Sequence, residues 1–295
     1  MTHRPTTWDS YVGQDALKRR IEYAVISALE RQEPLPPILL HGPPGSGKTT
    51  LAKLIAALMG DSIIEVIAPV PDRMLVRVVS THQGFLFVDE IHRATNSQQE
   101  RFLPLLEDGY IQDGRGREIR STGLSIVAAT TEGDKIIEPL YDRFEIKPPF
   151  APYTADEMAQ IVQQMAGFND LVVTDEWAQG IAAASLGVPR NAKSLIGMAR
   201  DLYITHGAIE PVERVLAESG VTAHGYNLNH QQYLVTLLNC GGVAGLSTIA
   251  QLMTLPPGQI EMLEVDLIKG GYLTRTPSGR ELTGEGFTLA QQFMV

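Results

Sequence analysis

An α/β fold is predicted: a parallel-sheet domain around a glycine-rich loop, then a small helical lid, then a C-terminal winged helix. Three observations carry it. Short apolar strands alternate with helices through the first half of the chain, the order that produces a parallel sheet covered on both faces. Residues 42–49 read Gly-Pro-Pro-Gly-Ser-Gly-Lys-Thr, between one such strand and one such helix. From about Tyr153 onward the pattern is helical, and it closes on a hairpin at Gly270–Arg280.

The elements follow in order. After a short loop from Trp8 to Gln14, Leu17, Ile21, Ala24, Val25, Ala28 and Leu29 recur at helical spacing. Pro34, Pro36 and Pro37 end that helix, and Ile38-Leu39-Leu40 is a short strand. A helix runs from Thr49 to Met59. Phe85–Val88 and Leu124–Ala129 read as further buried strands, the first ending on Asp89-Glu90 and the second on Thr130-Thr131. Helices are expected at 154–167, 174–186 and 189–205, then at 229–239, 246–253 and 258–269 before the hairpin. The last four elements are in winged-helix order. The predicted domains are 1–150, 151–220 and 221–295, without internal repeats.

Composition bounds the function. The chain has 295 residues, 44% hydrophobic and 20% charged, which suits two or three globular domains. Its single cysteine, Cys240, rules out an internal disulfide framework and fits a reducing compartment. The start, Met-Thr-His-Arg-Pro, lacks the apolar core of a secretory signal, and no apolar run reaches the ~20 residues needed to span a bilayer. A soluble cytoplasmic protein without a membrane partner is expected. Net charge is −10, so any affinity for nucleic acid must rest on a local basic face.

The strongest motif is Gly42-Pro43-Pro44-Gly45-Ser46-Gly47-Lys48-Thr49, followed by Thr50. It matches G-x-x-x-x-G-K-[ST] in the strand–loop–helix context that gives the pattern its meaning. The glycines let backbone N–H groups turn toward phosphates, and the helix N-terminus adds a favourable dipole. Lys48 can reach the β- and γ-phosphates, and Thr49 offers a hydroxyl to Mg²⁺. Asp89 and Glu90 end a strand where a Walker B pair belongs: Asp89 would hold Mg²⁺, and Glu90 would polarise the attacking water. ATP and Mg²⁺ are the expected ligands. A pair of acids capping the following helix, Ile91 to Leu106, is the competing structural reading.

Several motifs together carry a resemblance. Arg4-Pro, Tyr11-Val-Gly-Gln14, the phosphate loop, Asp89-Glu-Ile-His-Arg93, Ala129-Thr-Thr, Pro139-Leu-Tyr-Asp-Arg-Phe144, Gly187-Val-Pro-Arg-Asn-Ala192 and Gly271–Arg280 occur in this order along nearly the whole chain. The series resembles the RuvB family of AAA+ ATPases, bacterial motors that migrate Holliday junctions. The early motifs are specific only to the AAA+ class. Asp89–Arg93 with the C-terminal Arg275-Thr-Pro-Ser-Gly-Arg280 is more specific.

The resemblance implies roles. Thr131 is similar to sensor 1, Arg143 to an arginine finger reaching a neighbouring subunit, and Arg190 to sensor 2 on the lid. Tyr11, Val12 and Tyr153 match positions that enclose adenine. A homo-oligomer, a hexamer by the family pattern, is implied, acting on double-stranded or branched DNA. Lys269, Arg275 and Arg280 around the wing are the expected phosphate contacts, which position a protein on DNA without reading sequence. An AAA+ loader or switch that places another ring on DNA is the alternative function, and a winged-helix regulator is a third.

The chain departs from the family in two places. Between Glu107 and Leu124 the family carries a long, partly apolar hairpin that docks RuvA. Here the stretch is short and polar, with Arg115 and Arg117 near its tip. It lacks the apolar anchor that protein docking uses, which weakens the expectation of a RuvA-like partner. A hairpin pointing into the ring pore toward phosphates is the other possibility. Tyr141 stands where the family has a second arginine.

Overall fold

The computed structural model describes residues 4–121 and 123–294. The chain divides into two compact units, Met1–Ile161 with Val188–Arg190, and Val162–Gly187 with Asn191–Val295. Residues 162–187 and 191–220 of the helical segment fall in the second unit with the C-terminal segment, while 151–161 and 188–190 fall in the first. No helix among the described residues is long and apolar enough to cross a membrane.

The first unit runs α1 (Asp15–Arg31), β1 (Ile38–His41), α2 (Lys48–Met59), β2 (Ile63–Ile67), α3 (Asp72–Thr81), β3 (Gly84–Asp89), α4 (Asn96–Glu107), β4 (Tyr110–Gln112), β5 (Glu118–Arg120), β6 (Leu124–Thr130) and α5 (Glu138–Arg143). β1, β6, β3 and β2 form a parallel sheet in that order. An extended segment lies outside β1, where Leu39 N donates to Ile146 O at 2.8 Å and Phe150 N to His41 O at 2.8 Å.

Strand alternation explains why both faces are covered. Leu40, Phe85, Phe87, Val127 and Ala129 pack with Ile21, Leu51 and Ile55 from α1 and α2. Leu39, Leu86, Val88, Ile126 and Ala128 pack with Val79 and Phe102 from α3 and α4. The buried stripe of α1 is Leu17, Ile21, Ala24, Val25 and Ala28, while Leu29 is exposed. No helix runs from Ile91 to Leu106. A 3₁₀ turn occupies Ile91–Arg93, and α4 starts after Thr95, whose hydroxyl accepts from Gln98 N at 3.3 Å. β2 and α3 are additions to the predicted elements.

Continuing along the chain are α6 (Ala155–Phe168), α7 (Asp175–Ala184), α8 (Pro189–His206), α9 (Val212–Glu218), α10 (Leu228–Asn239), β7 (Val243–Ala244), α11 (Leu246–Met253), α12 (Pro257–Lys269), β8 (Leu273–Thr276), β9 (Gly279–Leu282) and α13 (Gly284–Gln292). β7, β9 and β8 form a small antiparallel sheet in that order. Tyr233, Leu234, Leu237, Ile249, Ile260, Leu267, Leu273, Leu282 and Leu289 fill the core of this winged helix. β7 and α13 complete it beyond what periodicity revealed.

Candidate functional site

The phosphate loop leaves β1 after three fully buried residues, so its position is set by the sheet. Gly45 and Gly47 adopt φ of 79° and 106°, a region that side chains avoid. A Cβ on Gly45 would lie 2.8 Å from Arg190 Cβ, and one on Gly47 2.7 Å from the Tyr11 hydroxyl. Both conformation and space therefore demand glycine. Lys48 Nζ donates to Gly42 O at 2.8 Å and Pro43 O at 2.9 Å, which folds the ammonium back over the loop. Burial lowers the Lys48 pKa, opposed by the negative charges of Glu90 and Asp89. Ser46 Oγ is buried without a hydrogen-bond partner among the described residues. Thr49 and Thr50 follow in the first turn of α2.

Tyr11 and Tyr153 bracket the loop. The Tyr153 hydroxyl donates to Ser46 O at 2.9 Å and that of Tyr11 to Gly47 O at 3.4 Å. Burial raises both phenol pKa values. The segment around the half-buried Val12 is fastened to residue 151 through Gln14, which donates to Ala151 O at 2.8 Å and accepts from Ala151 N at 2.9 Å.

Asp89 ends β3, and burial raises its pKa although the Glu90 N–H donates to Oδ1 at 3.0 Å. Glu90 adopts a left-handed backbone with φ 51°. Its Oε2 accepts from Thr131 Oγ1 at 3.1 Å, so the strand-end threonine and the strand-end glutamate meet. Arg190 comes close enough to Lys48 and Asp89 to perturb both electrostatically. Lys48, Asp89, Glu90, Thr131 and Arg190 are therefore brought to one place.

Arg143 is placed elsewhere. It closes α5, half-exposed, with Nε 2.8 Å from Glu107 Oε2. Beside it, Lys147 Nζ lies 4.4 Å from the Tyr141 ring centroid and donates to Tyr141 O at 3.0 Å. A cation thus stands next to the tyrosine that departs from the family pattern. Sequence reasoning missed it, since position 147 lies outside the motif. His92, also missed, fills the space between Glu90 and residues 130–132.

The hairpin β4–β5 pairs Tyr110 with Arg120 through Gln112 with Glu118. Asp113 accepts from the N–H groups of Arg115 and Arg117 and from Arg117 Nε at 2.8 Å, which holds its carboxyl down to about 2. Arg117 is therefore committed within the turn. Arg115 is exposed and has no side-chain ion pair among the described residues.

At the wing, Arg275 and Arg280 both turn toward Glu264, a carboxylate with no solvent exposure. Arg275 donates from Nε at 3.0 Å and Nη2 at 2.7 Å to Oε2, and Arg280 from Nε at 2.8 Å to Oε1. Tyr233 adds its hydroxyl to Oε1 at 3.3 Å. A buried carboxylate collects donors because an unpaired one is costly. Arg275 keeps half of its side chain exposed, Arg280 only 18%. Lys269, at the end of α12, is exposed and unpaired among the described residues.

Comparison with known proteins agrees with this architecture. Residues 3–149 match the model of the Holliday junction DNA helicase RuvB P-loop domain, and residues 223–291 that of the RuvB C-terminal winged helix domain. A Holliday junction branch migration complex subunit RuvB from Lacticaseibacillus casei (strain BL23) is 35% identical over 302 residues, covering 96% of this chain and 89% of the relative. A structure of Thermotoga maritima RuvB, described as a Holliday junction branch migration motor, covers 98% of both chains with a TM-score of 0.83 and 29% identity. A point mutant of Thermotoga maritima RuvB covers 98% of both chains at TM-score 0.84 and 28% identity. By sequence along nearly its whole length, this chain belongs to the RuvB family.

Proposed function

We propose that this chain is one subunit of an ATP-driven ring that moves the branch point of a four-way DNA junction. The observation that carries the reading is the convergence of Lys48, Asp89, Glu90, Thr131 and Arg190 on one phosphate loop in a RuvB-family chain that ends in a winged helix.

The residues fit a nucleotide. The loop offers backbone N–H groups at the start of α2 and a buried Ser46 hydroxyl that has no partner among the described residues, and Lys48 supplies the cation. Leaving its two carbonyls for the β- and γ-phosphates lets Lys48 exchange neutral acceptors for charged ones. Thr49 would offer a hydroxyl and Asp89 a carboxylate, both hard oxygen ligands, to a Mg²⁺ ion, which would supply neutralisation of the charge developing on the phosphates. Glu90 orients the attacking water and takes its proton. Thr131, bonded to Glu90, senses whether the γ-phosphate is present. Arg190 reads the same group from the lid side. Tyr11, Val12 and Tyr153 flank the adenine.

Arg143 acts on the neighbouring subunit, a role that fits its position away from its own loop. Its fixed planar cation stabilises charge on the transferring phosphoryl group. The working assembly is a homo-oligomer, a hexamer in this reading. The β4–β5 tip offers Arg115 to phosphate rather than an apolar anchor to a RuvA-like partner, which favours DNA as the neighbour of that hairpin.

The test is ATPase activity with and without four-way junction DNA, together with displacement of a labelled junction arm. Stimulation and displacement that both need hydrolysable ATP are expected. ATPase unaffected by junction DNA, with no arm displaced, sinks the motor reading and favours a loader or switch.

A further inference from the structure

His92 stands between two carboxylates. It lies in the 3₁₀ turn after β3, while Thr130, Thr131 and Glu132 lie at the end of β6. Parallel pairing of β3 with β6, with Val88 opposite Ala128, brings the two strand ends together. The His92 side chain is buried, 6% exposed. Its Nδ1 shares a hydrogen bond with Thr130 Oγ1 at 3.0 Å and stands 3.2 Å from Glu90 Oε2. Its Nε2 stands 3.2 Å from Glu132 Oε1. Thr130 Oγ1 also accepts from Glu132 N at 3.0 Å, which fixes the turn that carries the second carboxylate.

We infer that His92 is a positioning residue for Glu90, tying the orientation of that carboxylate to the turn at 130–132. Resting on the nucleotide-site reading above, the inference has two supports in the geometry. First, His92 and Thr131 both crowd onto Oε2, while Oε1 takes no hydrogen bond among the described residues. One oxygen is restrained and the other is left to address water. Second, Glu90 has a left-handed backbone, a strained choice for a residue with a side chain, which persists where surrounding contacts hold it. The chain of contacts continues outward, from Glu132 to Lys135 Nζ at 2.5 Å on the surface. A displacement of the 130–132 turn therefore moves His92, and with it the carboxylate.

A filler of the core and a positioning residue predict different kinetics. Loss of packing alone lowers stability and nucleotide affinity together. Loss of positioning lowers kcat while leaving KM for ATP in place, because the phosphates are held by other groups.

The test uses the full chain with ATP and junction DNA. His92→Ala is expected to lower kcat by roughly tenfold to a hundredfold, the range for a misplaced reacting group, with KM unchanged. His92→Asn places an amide nitrogen where Nδ1 stood and restores most of kcat. In a Glu90→Gln background His92→Ala causes no further loss. Wild-type kcat in His92→Ala, an Asn variant as slow as Ala, or an equal further loss in the Glu90→Gln background overturns the inference. Should the Ala variant fail to fold, His92→Gln serves, since it leaves the Nδ1 position empty; a wild-type kcat there overturns the inference equally. Near-normal turnover by Glu90→Gln alone overturns the site reading itself, whereas an inactive Glu90→Gln with a normal His92→Ala removes only the role of His92.

Discussion

Arg280 donates from Nε to Oε1 of Glu264 at 2.8 Å, and that carboxylate is wholly shielded from solvent. The pair joins β9 to α12, so it braces the wing against the helix before it. The Glu264 hydrogen bond is the main reason the Arg280 pKa is raised. Arg280→Ala should therefore act first on stability, by about 2 kcal/mol, the scale for leaving a buried charged acceptor short of a donor. Denaturant unfolding measures it. Lys269→Ala should leave stability unchanged and reduce the log–log salt slope of DNA binding by roughly 0.9 for each engaged subunit. Equal salt slopes in wild type and Lys269→Ala would show that this lysine meets no phosphate.

At the phosphate loop, Lys48→Ala should abolish nucleotide binding, because no other ammonium stands over Gly42 and Pro43 among the described residues. Glu90→Gln should bind ATP and hydrolyse it very slowly, since an amide cannot take the proton of water. Equilibrium binding and steady-state turnover separate the two. Retained affinity in Lys48→Ala argues against the loop as the site.

Mixing distinguishes a residue that acts in trans. Arg143→Ala should bind ATP normally, lose hydrolysis, and suppress wild-type subunits in mixed assemblies by more than its molar share. Glu107 holds Arg143 in the single chain at 2.8 Å, so Glu107→Ala frees the guanidinium without removing it. Turnover in that variant should be retained. Strictly proportional loss in the Arg143→Ala mixtures would assign the arginine to its own subunit.

In the β4–β5 turn, Asp113 should titrate near pH 2, against an ordinary value of ~3.9. The sign follows from a depressed folded-state pKa. The stabilisation is fully present above ~4, where even the unfolded carboxylate is charged, and is lost as pH falls through about 2. Carbon-detected carboxyl titration checks it: a midpoint near 4 would mean that the turn does not hold its two backbone donors on Asp113.

The nucleotide site was legible in the sequence because its requirements are local. A turn that must present N–H groups needs positive φ at Gly45 and Gly47, and that need leaves a pattern within eight residues. Strands buried on both faces, such as Gly84–Asp89 and Leu124–Thr130, are legible for a similar reason: each is a short apolar run that ends on polar residues. The edge strand Ile63–Ile67 was not, since it is partly exposed and carries Glu65 in its middle.

What only the tertiary structure decided are the partners of charged side chains far apart in sequence. Arg275 and Arg280 read in the sequence as a basic wing, while Glu264 is one of three acids on α12, with Glu261 and Asp266. Whether Glu264 points inward depends on how α12 packs against α10 and the wing, and the arginines lie 11 and 16 residues beyond it. His92 was visible only as part of a motif string; its neighbours Thr130 and Glu132 arrive from 38 and 40 positions away, through strand pairing. Lys147 over Tyr141 is of the same kind, a cation delivered by the chain's return beside β1. Periodicity and backbone geometry are written along the chain and so can be read there. A long flexible side chain chooses its partner by proximity and desolvation, and both come into being only when the elements pack.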